Sequence, residues 1–242
     1  SNALEKERGI TILAKNTALI WKGVKIKLVD TPGHADFSGE VERVMNMADG
    51  CILLVDAVDG PMPQTRYVLQ QAINYSLSPI VVINKIDRPE SRISAVVNEV
   101  EELFLELATD DSQLNYPVFF ASAKAGYAIE SVDDEPESIA PILDSIVQTI
   151  PSPTGSLDGG FQLLVTALDY DDYAGQIAIG KIFRGSVSQK DSVLLINADG
   201  VEINHKVEQL FVYQGMKKKK VESASVGEII ALTGLDNVTI GN

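Results

Sequence analysis

The sequence lacks several features that mark common classes of protein. Its single cysteine, Cys51, cannot form an internal disulfide, which excludes a secreted scaffold held together by disulfides. No apolar run approaches the roughly 18 residues of a membrane-spanning helix, and the N-terminus has no signal-peptide pattern. Hydrophobic residues nevertheless make up 45% of the chain, enough for a packed core. We therefore expect a soluble, cytoplasmic globular protein without membrane contact.

Positive charge is also scarce. The chain has 20 Lys and Arg against 34 Asp and Glu, a net charge of −14, which excludes a general nucleic-acid binder. Four of the basic residues stand together at Lys217–Lys220. Two interpretations stay open for this run: a solvated loop, which we favour, or a local contact with RNA phosphates.

Residues 4–150 alternate β-rich runs with helical patterns, which predicts a doubly wound α/β sheet. A Lys-Gly turn separates the first two strands and predicts a hairpin. The predicted strands are residues 12–21, 24–30, 51–56, 80–84 and 118–122, and the predicted helices are residues 39–47, 64–75, 92–107 and 139–150.

A proline- and glycine-containing stretch at residues 151–156 is typical of a linker. Only short β-like runs follow it, separated by turn signals, and they favour a small all-β barrel. These runs are residues 161–168, 176–184, 192–196, 206–212 and 228–232. The sequence thus predicts two domains, residues 1–151 and residues 156–242.

Polar residues follow the predicted strands of the first domain at the edge where α/β folds bind ligands. Asn84, Lys85 and Asp87 follow one strand, and Ser122 and Ala123 follow the next. A carboxylate at Asp87 would accept from two N–H groups of guanine, a donor pair that adenine lacks. Asn84 would bond to the base or brace the neighbouring loop. The Lys85 stem would cover a base face, and the amides at Ser122–Ala123 would serve the guanine oxygen.

A second group of residues is typical of a phosphate and magnesium site. Asp30 would hold Mg²⁺ through water, and Thr11 offers a hydroxyl ligand. The Gly33 amide would face the γ-phosphate, and His34 is placed to orient the attacking water. Simpler interpretations remain: Asp30, Asn84 and Asp87 as turn residues, Thr11 as a strand residue, and His34 as a surface histidine.

The sequence resembles translational GTPases, and among them most closely the BipA/TypA family of ribosome-associated GTPases. The resemblance implies a Ras-like GTPase domain followed by a translation-factor-type β-barrel. It also implies hydrolysis of GTP to GDP with Mg²⁺, binding to ribosomal RNA and proteins, and a hydrophobic gate at Ile10 that holds back His34. The stretches that carry it are residues 4–17, 30–37, 59–66, 84–89 and 157–180.

The sequence departs from that family at one point, since it contains no Gly-x-x-x-x-Gly-Lys-[Ser/Thr] phosphate loop. We expect the chain to begin inside the first switch region and to lack the first strand. We therefore expect it to bind GTP weakly and not to hydrolyse it at a useful rate. The missing strand would leave sheet edges unpaired, and we expect another segment, or a second copy of the chain that associates there, to cover them. The alternatives are a non-hydrolysing ribosome adaptor with a vestigial guanine pocket, or an elongation or release factor.

Overall fold

The computed structural model describes residues 14–31 and 38–242, with the side chain of Ser38 left out. The chain divides into two compact units, each described below by itself. Of the described residues, the first unit holds 38–152, and the second holds 14–31 and 153–242. Within this part of the chain, no helix is both long and apolar enough to cross a membrane.

An antiparallel hairpin is the first element among the described residues. Strand β1 runs over Lys15–Trp21 and β2 over Val24–Asp30, and the pairing extends from Trp21 opposite Val24 to Lys15 opposite Asp30. Lys22 and Gly23 form the turn with φ values of 47° and 83°. Positive φ at both turn residues matches the twist of the two strands, which is why this Lys-Gly pair closes the hairpin.

The first unit is a four-stranded sheet with helices, in the order β3-β4-β5-β6. The first three strands are parallel, and β6 is antiparallel to β5. All four residues from Ile80 to Ile83 are buried, as expected for a strand covered on both faces. The elements are α1 (Ser38–Met45), β3 (Gly50–Asp56), α2 (Pro63–Asn74), β4 (Ser78–Asn84), α3 (Ile93–Leu107), a 3₁₀ turn (Asp111–Leu114), β5 (Val118–Ser122), β6 (Tyr127–Ile129) and α4 (Ala140–Thr149).

Helix α3 supplies much of the core of the first unit. Its buried residues recur at helical spacing along one face, namely Val96, Val100, Leu103, Phe104 and Leu107. The ring of Phe104 is fully buried and stacks on the ring of Tyr116 with 3.7 Å between centroids. This face holds the helix against β3 and β4, whose carboxyl ends then lie at one edge of the sheet.

The second unit is built from short strands. A five-stranded antiparallel sheet has the order β13-β12-β15-β8-β7, and two smaller pairs are β10-β11 and β9-β14. The hydrogen bonding of the described strands leaves this β-rich domain without a closed barrel. The strands are β7 (Gln162–Asp171), β8 (Gly175–Arg184), β9 (Ser186–Ser188), β10 (Ser192–Ile196), β11 (Glu202–Lys206), β12 (Leu210–Gln214), β13 (Lys217–Lys220), β14 (Ser223–Ser225) and β15 (Ile229–Leu232).

The hairpin packs within the second unit. Ala18 exchanges backbone hydrogen bonds with Gly215, at 3.1 and 2.8 Å. Lys25 forms an ion pair with Glu228 at 2.9 Å, and the Lys27 ammonium donates to the carbonyl of Gly227 at 2.6 Å. The hairpin is therefore a separate sheet bound to the β-rich unit, whereas its residues precede the α/β elements in the sequence. The domain limits 1–151 and 156–242 stay a prediction.

The prediction of one strand over residues 206–212 is wrong. β11 ends at Lys206 and β12 begins at Leu210. Between them the chain crosses from one sheet to the other: the Val207 amide donates to the Asp191 carbonyl at 2.9 Å, and the Glu208 amide to the Thr233 carbonyl at 3.0 Å. Val207 and Leu210 lie on either side of this crossing, and both are fully buried.

The favoured interpretation of the lysine run as a loop is also wrong. Lys217–Lys220 forms strand β13, which pairs with β12 at the edge of the five-stranded sheet, and all four lysines are exposed. Strand pairing uses backbone groups, so an edge strand tolerates charged side chains that also oppose further pairing. The sequence interpretation also missed the short strands β6, β9 and β14, and it included only the last residue of β11.

Candidate functional site

Three parallel strands of the first unit end in polar residues at one edge of the sheet. These are Asp56 on β3, Asn84 on β4 and Ser122 on β5. In the register, Asp56 lies opposite Asn84, and Asn84 lies opposite Ala121. Because parallel strands present their carboxyl ends together, residues far apart in the sequence become neighbours here.

Asn84 connects all three strand ends. Its side-chain oxygen accepts a hydrogen bond from the Ala123 amide at 3.0 Å. Its carbonyl accepts from the Ala57 amide at 2.8 Å. The side chain thus braces the loop after β5, and the Ala123 amide that we expected to serve a guanine oxygen donates to Asn84 in this structure.

Lys85 is the second residue of the loop formed by residues 84–87, which we call the base loop. Its backbone has φ 68°, a left-handed conformation that is uncommon for a residue with a side chain. Its ammonium group forms an ion pair with the carboxylate of Asp56, the last residue of the neighbouring strand β3. The Lys85 stem therefore runs from the base loop back towards β3.

Asp87 is exposed in the turn that completes the base loop. The Arg88 amide donates to the Lys85 carbonyl at 3.1 Å, and the Ile86 amide to the Ala121 carbonyl at 3.2 Å. Among the described residues, no group pairs with the Asp87 carboxylate. A carboxylate at this edge is open to a ligand that offers two N–H donors.

Ser122 is buried and organises the turn after β5. Its hydroxyl accepts from the Ala125 amide at 3.2 Å, and its carbonyl accepts from the Gly126 amide at 2.8 Å. The structure therefore brings together five of the predicted residues in the first unit, namely Asn84, Lys85, Asp87, Ser122 and Ala123.

Five predicted residues remain, and the structure describes one of them. Asp30 is exposed at the end of β2, in the second unit. Ile10, Thr11, Gly33 and His34 lie outside the described residues. Within the described ranges, no three His, Cys, Asp or Glu side chains form a cluster suited to a metal ion. The assignment of Asp30 as a Mg²⁺ ligand stays a prediction.

Sequence reasoning missed Asp56 and Arg92. The Arg92 guanidinium donates to the carbonyls of Val58 and Asp59 at 2.8 and 2.9 Å and forms an ion pair with Glu99. It thereby holds the turn formed by residues 57–60. The sequence pattern could have identified Asp56. Like Asn84, it is a polar residue at the end of an apolar run. Nothing in the sequence pattern marked Arg92.

Two family models match the chain. Residues 1–152 match the elongation factor Tu GTP binding domain, and residues 175–242 match elongation factor Tu domain 2. The hairpin thus falls within the stretch that matches the GTP binding domain, although it packs in the second unit.

Curated relatives include the large ribosomal subunit assembly factor BipA of Escherichia coli, 49% identical over 242 residues. The protein of the same description from Synechocystis sp. is 47% identical over 241 residues. Each comparison covers 100% of this chain and 40% of the relative. The chain therefore spans about two fifths of the length of these relatives.

Solved structures show the same fold at low identity. The crystal structure of a bacterial selenocysteine-specific elongation factor, EF-Sec, has a TM-score of 0.73 at 24% identity, over 96% of this chain and 37% of that one. Elongation factor SelB from Methanococcus maripaludis, in complex with the GTP analogue GppNHp, has a TM-score of 0.74 at 24% identity, over 93% and 47%. Both support an α/β domain followed by a β-rich domain 2. Because the GTP binding domain model spans residues 1–152 and the relatives confirm the BipA/TypA resemblance, the chain belongs to the translational GTPases with an elongation factor Tu GTP binding domain.

Proposed function

We propose that the base loop and residues 122–123 bind the guanine base of GTP and GDP in a protein that hydrolyses GTP on the ribosome. The observation that carries this proposal is the hydrogen bond from the Ala123 amide to Asn84, which joins the two loops beside the exposed Asp87 carboxylate. Asp87 would accept from the ring N–H and the exocyclic amine of guanine. Adenine leaves that carboxylate without its donors, so the site would discriminate against ATP.

In the intact protein, the phosphate end of the site would use the remaining predicted residues. Asp30 and Thr11 would hold Mg²⁺, which neutralises charge on the phosphate oxygens when bound. The Gly33 amide would face the γ-phosphate, and His34 would orient the attacking water, with Ile10 as one side of a gate. Family membership supports these assignments.

We further propose that this chain alone binds nucleotide weakly and does not turn GTP over at a useful rate. The reason is chemical, since none of its residues forms a Gly-x-x-x-x-Gly-Lys-[Ser/Thr] loop to cradle the phosphates. The test is phosphate release from GTP with Mg²⁺. Turnover that the substitution His34→Ala abolishes would overturn this proposal.

The partner we propose is the ribosome, through ribosomal RNA and proteins in the cytoplasm. The relatives at 47–49% identity are described as large ribosomal subunit assembly factors. The exposed edge strand Lys217–Lys220 is a local basic surface on an acidic chain, suited to RNA phosphates. Replacing the four lysines with glutamine should weaken ribosome binding and flatten its salt dependence. Unchanged binding and salt slope would exclude this surface.

We also propose that copies of the chain associate through β3. Among the described residues, no strand pairs with its second edge, and Leu54 is 62% exposed. An unpaired apolar edge is a template for another strand. Light scattering should show concentration-dependent dimers that Leu54→Lys reduces, and a monomer at all concentrations would contradict the proposal.

The experiment that tests the guanine site is a titration of a fluorescent GDP with Mg²⁺, competed separately by GTP and ATP. Displacement by GTP but not ATP is the expected result. Asp87→Asn should weaken GDP binding at least about tenfold and favour xanthosine diphosphate, because an amide donates to the extra oxygen of xanthine. Asp133→Asn, which neutralises an exposed aspartate on the loop before α4, is the matched control.

The alternative function is a ribosome adaptor that does not hydrolyse GTP. The observation that favours it is the absence of the phosphate-loop motif from these residues. Ribosome binding that persists when Asp87→Asn is introduced, in a chain that binds no guanine nucleotide at millimolar concentration, would support the adaptor over the enzyme.

A further inference from the structure

Asp56, at the end of β3, uses its two carboxylate oxygens for different purposes. One oxygen, Oδ1, accepts a hydrogen bond from the Val58 amide at 2.8 Å. The other, Oδ2, binds the Lys85 ammonium. The Asp56 side chain is only 16% exposed, whereas that of Lys85 is 44% exposed. Asp56 therefore connects the 57–60 turn with the base loop.

Several hydrogen bonds fix the backbone of the 57–60 turn. The Asp56 carboxylate, which bonds to this turn, is therefore attached to an ordered backbone. The Gly60 amide donates to the Asp56 carbonyl at 2.8 Å, and the Arg92 amide to the Ala57 carbonyl at 2.9 Å. The Arg92 side chain adds its two bonds to the turn carbonyls. Gly60 has φ 77°, and a β-carbon there would collide with the side chains of Arg92 and Glu99.

The conformation of the base loop depends on contacts with residues outside the loop. Lys85 adopts a left-handed backbone conformation, which persists only where surrounding contacts impose it. Beyond the bonds of Asn84, the base loop is held by the Ile86 amide bond to the Ala121 carbonyl, the Ser91 hydroxyl bond to the Ile86 carbonyl and the Arg88 amide bond to the Lys85 carbonyl. The ion pair between Lys85 and Asp56 is the side-chain contact that joins the loop to β3.

We propose that Asp56 is a positioning residue for the base loop, holding Lys85 so that Asn84 and Asp87 keep the geometry that a guanine base requires. This inference rests on the proposed guanine site. With its ammonium anchored at Asp56, the Lys85 stem lies as an apolar wall beside the base position. Asp56 acts through Lys85 and makes no contact with the nucleotide.

The ionisation of Asp56 agrees with this role. Partial burial raises its pKa, but the Lys85 ammonium and the Val58 amide outweigh burial and keep the pKa below its ordinary value. The carboxylate is therefore charged at neutral pH, as an anchor for an ammonium group must be.

The substitution Asp56→Asn separates the two roles of the side chain. An amide oxygen still accepts from the Val58 amide, so the 57–60 turn is kept, while the charge that holds Lys85 is lost. Asp59→Asn is the matched control, because it removes an equal charge from an exposed side chain in the same turn. If Asp56 has a purely structural role, Asp56→Asn and Asp59→Asn should bind GDP with similar affinity.

The experiment measures GDP dissociation constants for the wild type, Asp56→Asn, Lys85→Met, the double variant and Asp59→Asn. Asp56→Asn should weaken binding about tenfold, Lys85→Met by a similar factor, and the double variant no more than either. Asp59→Asn should stay within about twofold of the wild type. Unchanged GDP binding in Asp56→Asn would overturn the proposal. A loss of affinity in the double variant equal to the product of the two single losses would overturn it as well.

Amide hydrogen exchange on the same variants separates this inference from the guanine site itself. In Asp56→Asn, the Ile86 and Arg88 amides should exchange at least fivefold faster, while the amides of residues 81–83 keep their rates. If the wild type binds no guanine nucleotide, the proposal of a guanine site is wrong. Hydrogen exchange alone then tests whether Asp56 positions the base loop. Unchanged rates at Ile86 and Arg88 would then overturn its positioning role.

Discussion

The Ala123 amide donates to the side-chain oxygen of Asn84 at 3.0 Å, and this bond joins the loops that follow β4 and β5. The two residues are 39 positions apart in the sequence. Asn84 therefore contributes to the order of the candidate site before any ligand binds.

Replacing Asn84 with alanine should lower the free energy of unfolding by about 1 kcal/mol, the usual net value of one hydrogen bond. The Ala123 amide should lose its protection from hydrogen exchange. Chemical denaturation and exchange measure the two effects. Asn74→Ala, which removes an exposed bond within α2, is the control and should leave Ala123 protected. Equal protection of Ala123 in Asn84→Ala would contradict the bracing role.

Replacing Phe104 with alanine should destabilise the first unit by about 3–5 kcal/mol, because its fully buried ring leaves a cavity beside Tyr116. Leu105→Ala, one position along the same helix, alters a side chain that is 67% exposed. It should change stability by less than about 0.5 kcal/mol. Urea unfolding of both variants measures the two changes in the free energy of unfolding. Similar losses of stability would contradict the assignment of the buried face of α3.

The stabilising effect of Asp56 should depend on pH. Its pKa is lower in the folded chain than in the unfolded chain, because Lys85 and the Val58 amide outweigh burial. Its contribution is therefore present above the unfolded pKa of about 3.9 and is lost as pH falls through the folded pKa. The stability difference between the wild type and Asp56→Asn should be constant from pH 8 to about pH 5 and shrink below about pH 4. A difference independent of pH would contradict the ion pair.

The contact between the hairpin and Glu228 should be weakly stabilising and sensitive to salt. Glu228 pairs with Lys25 at 2.9 Å and with Lys27 at 3.5 Å, and all three side chains are partly exposed. Glu228→Gln should cost up to about 1 kcal/mol at low salt and less in molar salt. Glu222→Gln removes a charge from an exposed side chain and is the control. An equal effect of the two substitutions would indicate a general charge effect.

Much of the first unit could be predicted from local patterns. The runs at residues 51–56, 80–84 and 118–122 are strands within two residues of the predicted limits. Continuous burial on both faces requires continuous apolar sequence, and residues 80–83 meet that expectation, whereas Leu54 on β3 is 62% exposed. Helix α3 was found to within one residue because its apolar residues keep a helical period. Strand β6 was missed, since three residues are too few to show a period.

The second unit was harder to predict because pairing there follows tertiary neighbours. Residues 206–212 are apolar enough for one strand, but the chain changes sheets at Val207. The lysine run carries no β signal, yet its backbone pairs with β12. In both cases, the position of a neighbouring strand outweighs the preference of the side chains.

The sequence by itself determined which polar residues stand at the strand ends and which chemistry they offer: Asn84 at the end of β4, Asp87 three residues later, and Ser122 at the end of β5. Alternation of elements and identity of side chains are local properties, and they sufficed to predict the fold class and the family. Only the tertiary structure decided that Asp56 meets Lys85, 29 residues away, and that Lys25 of the hairpin meets Glu228, 203 residues away. Such contacts depend on which strands become neighbours, and that is set by the packing of the whole chain.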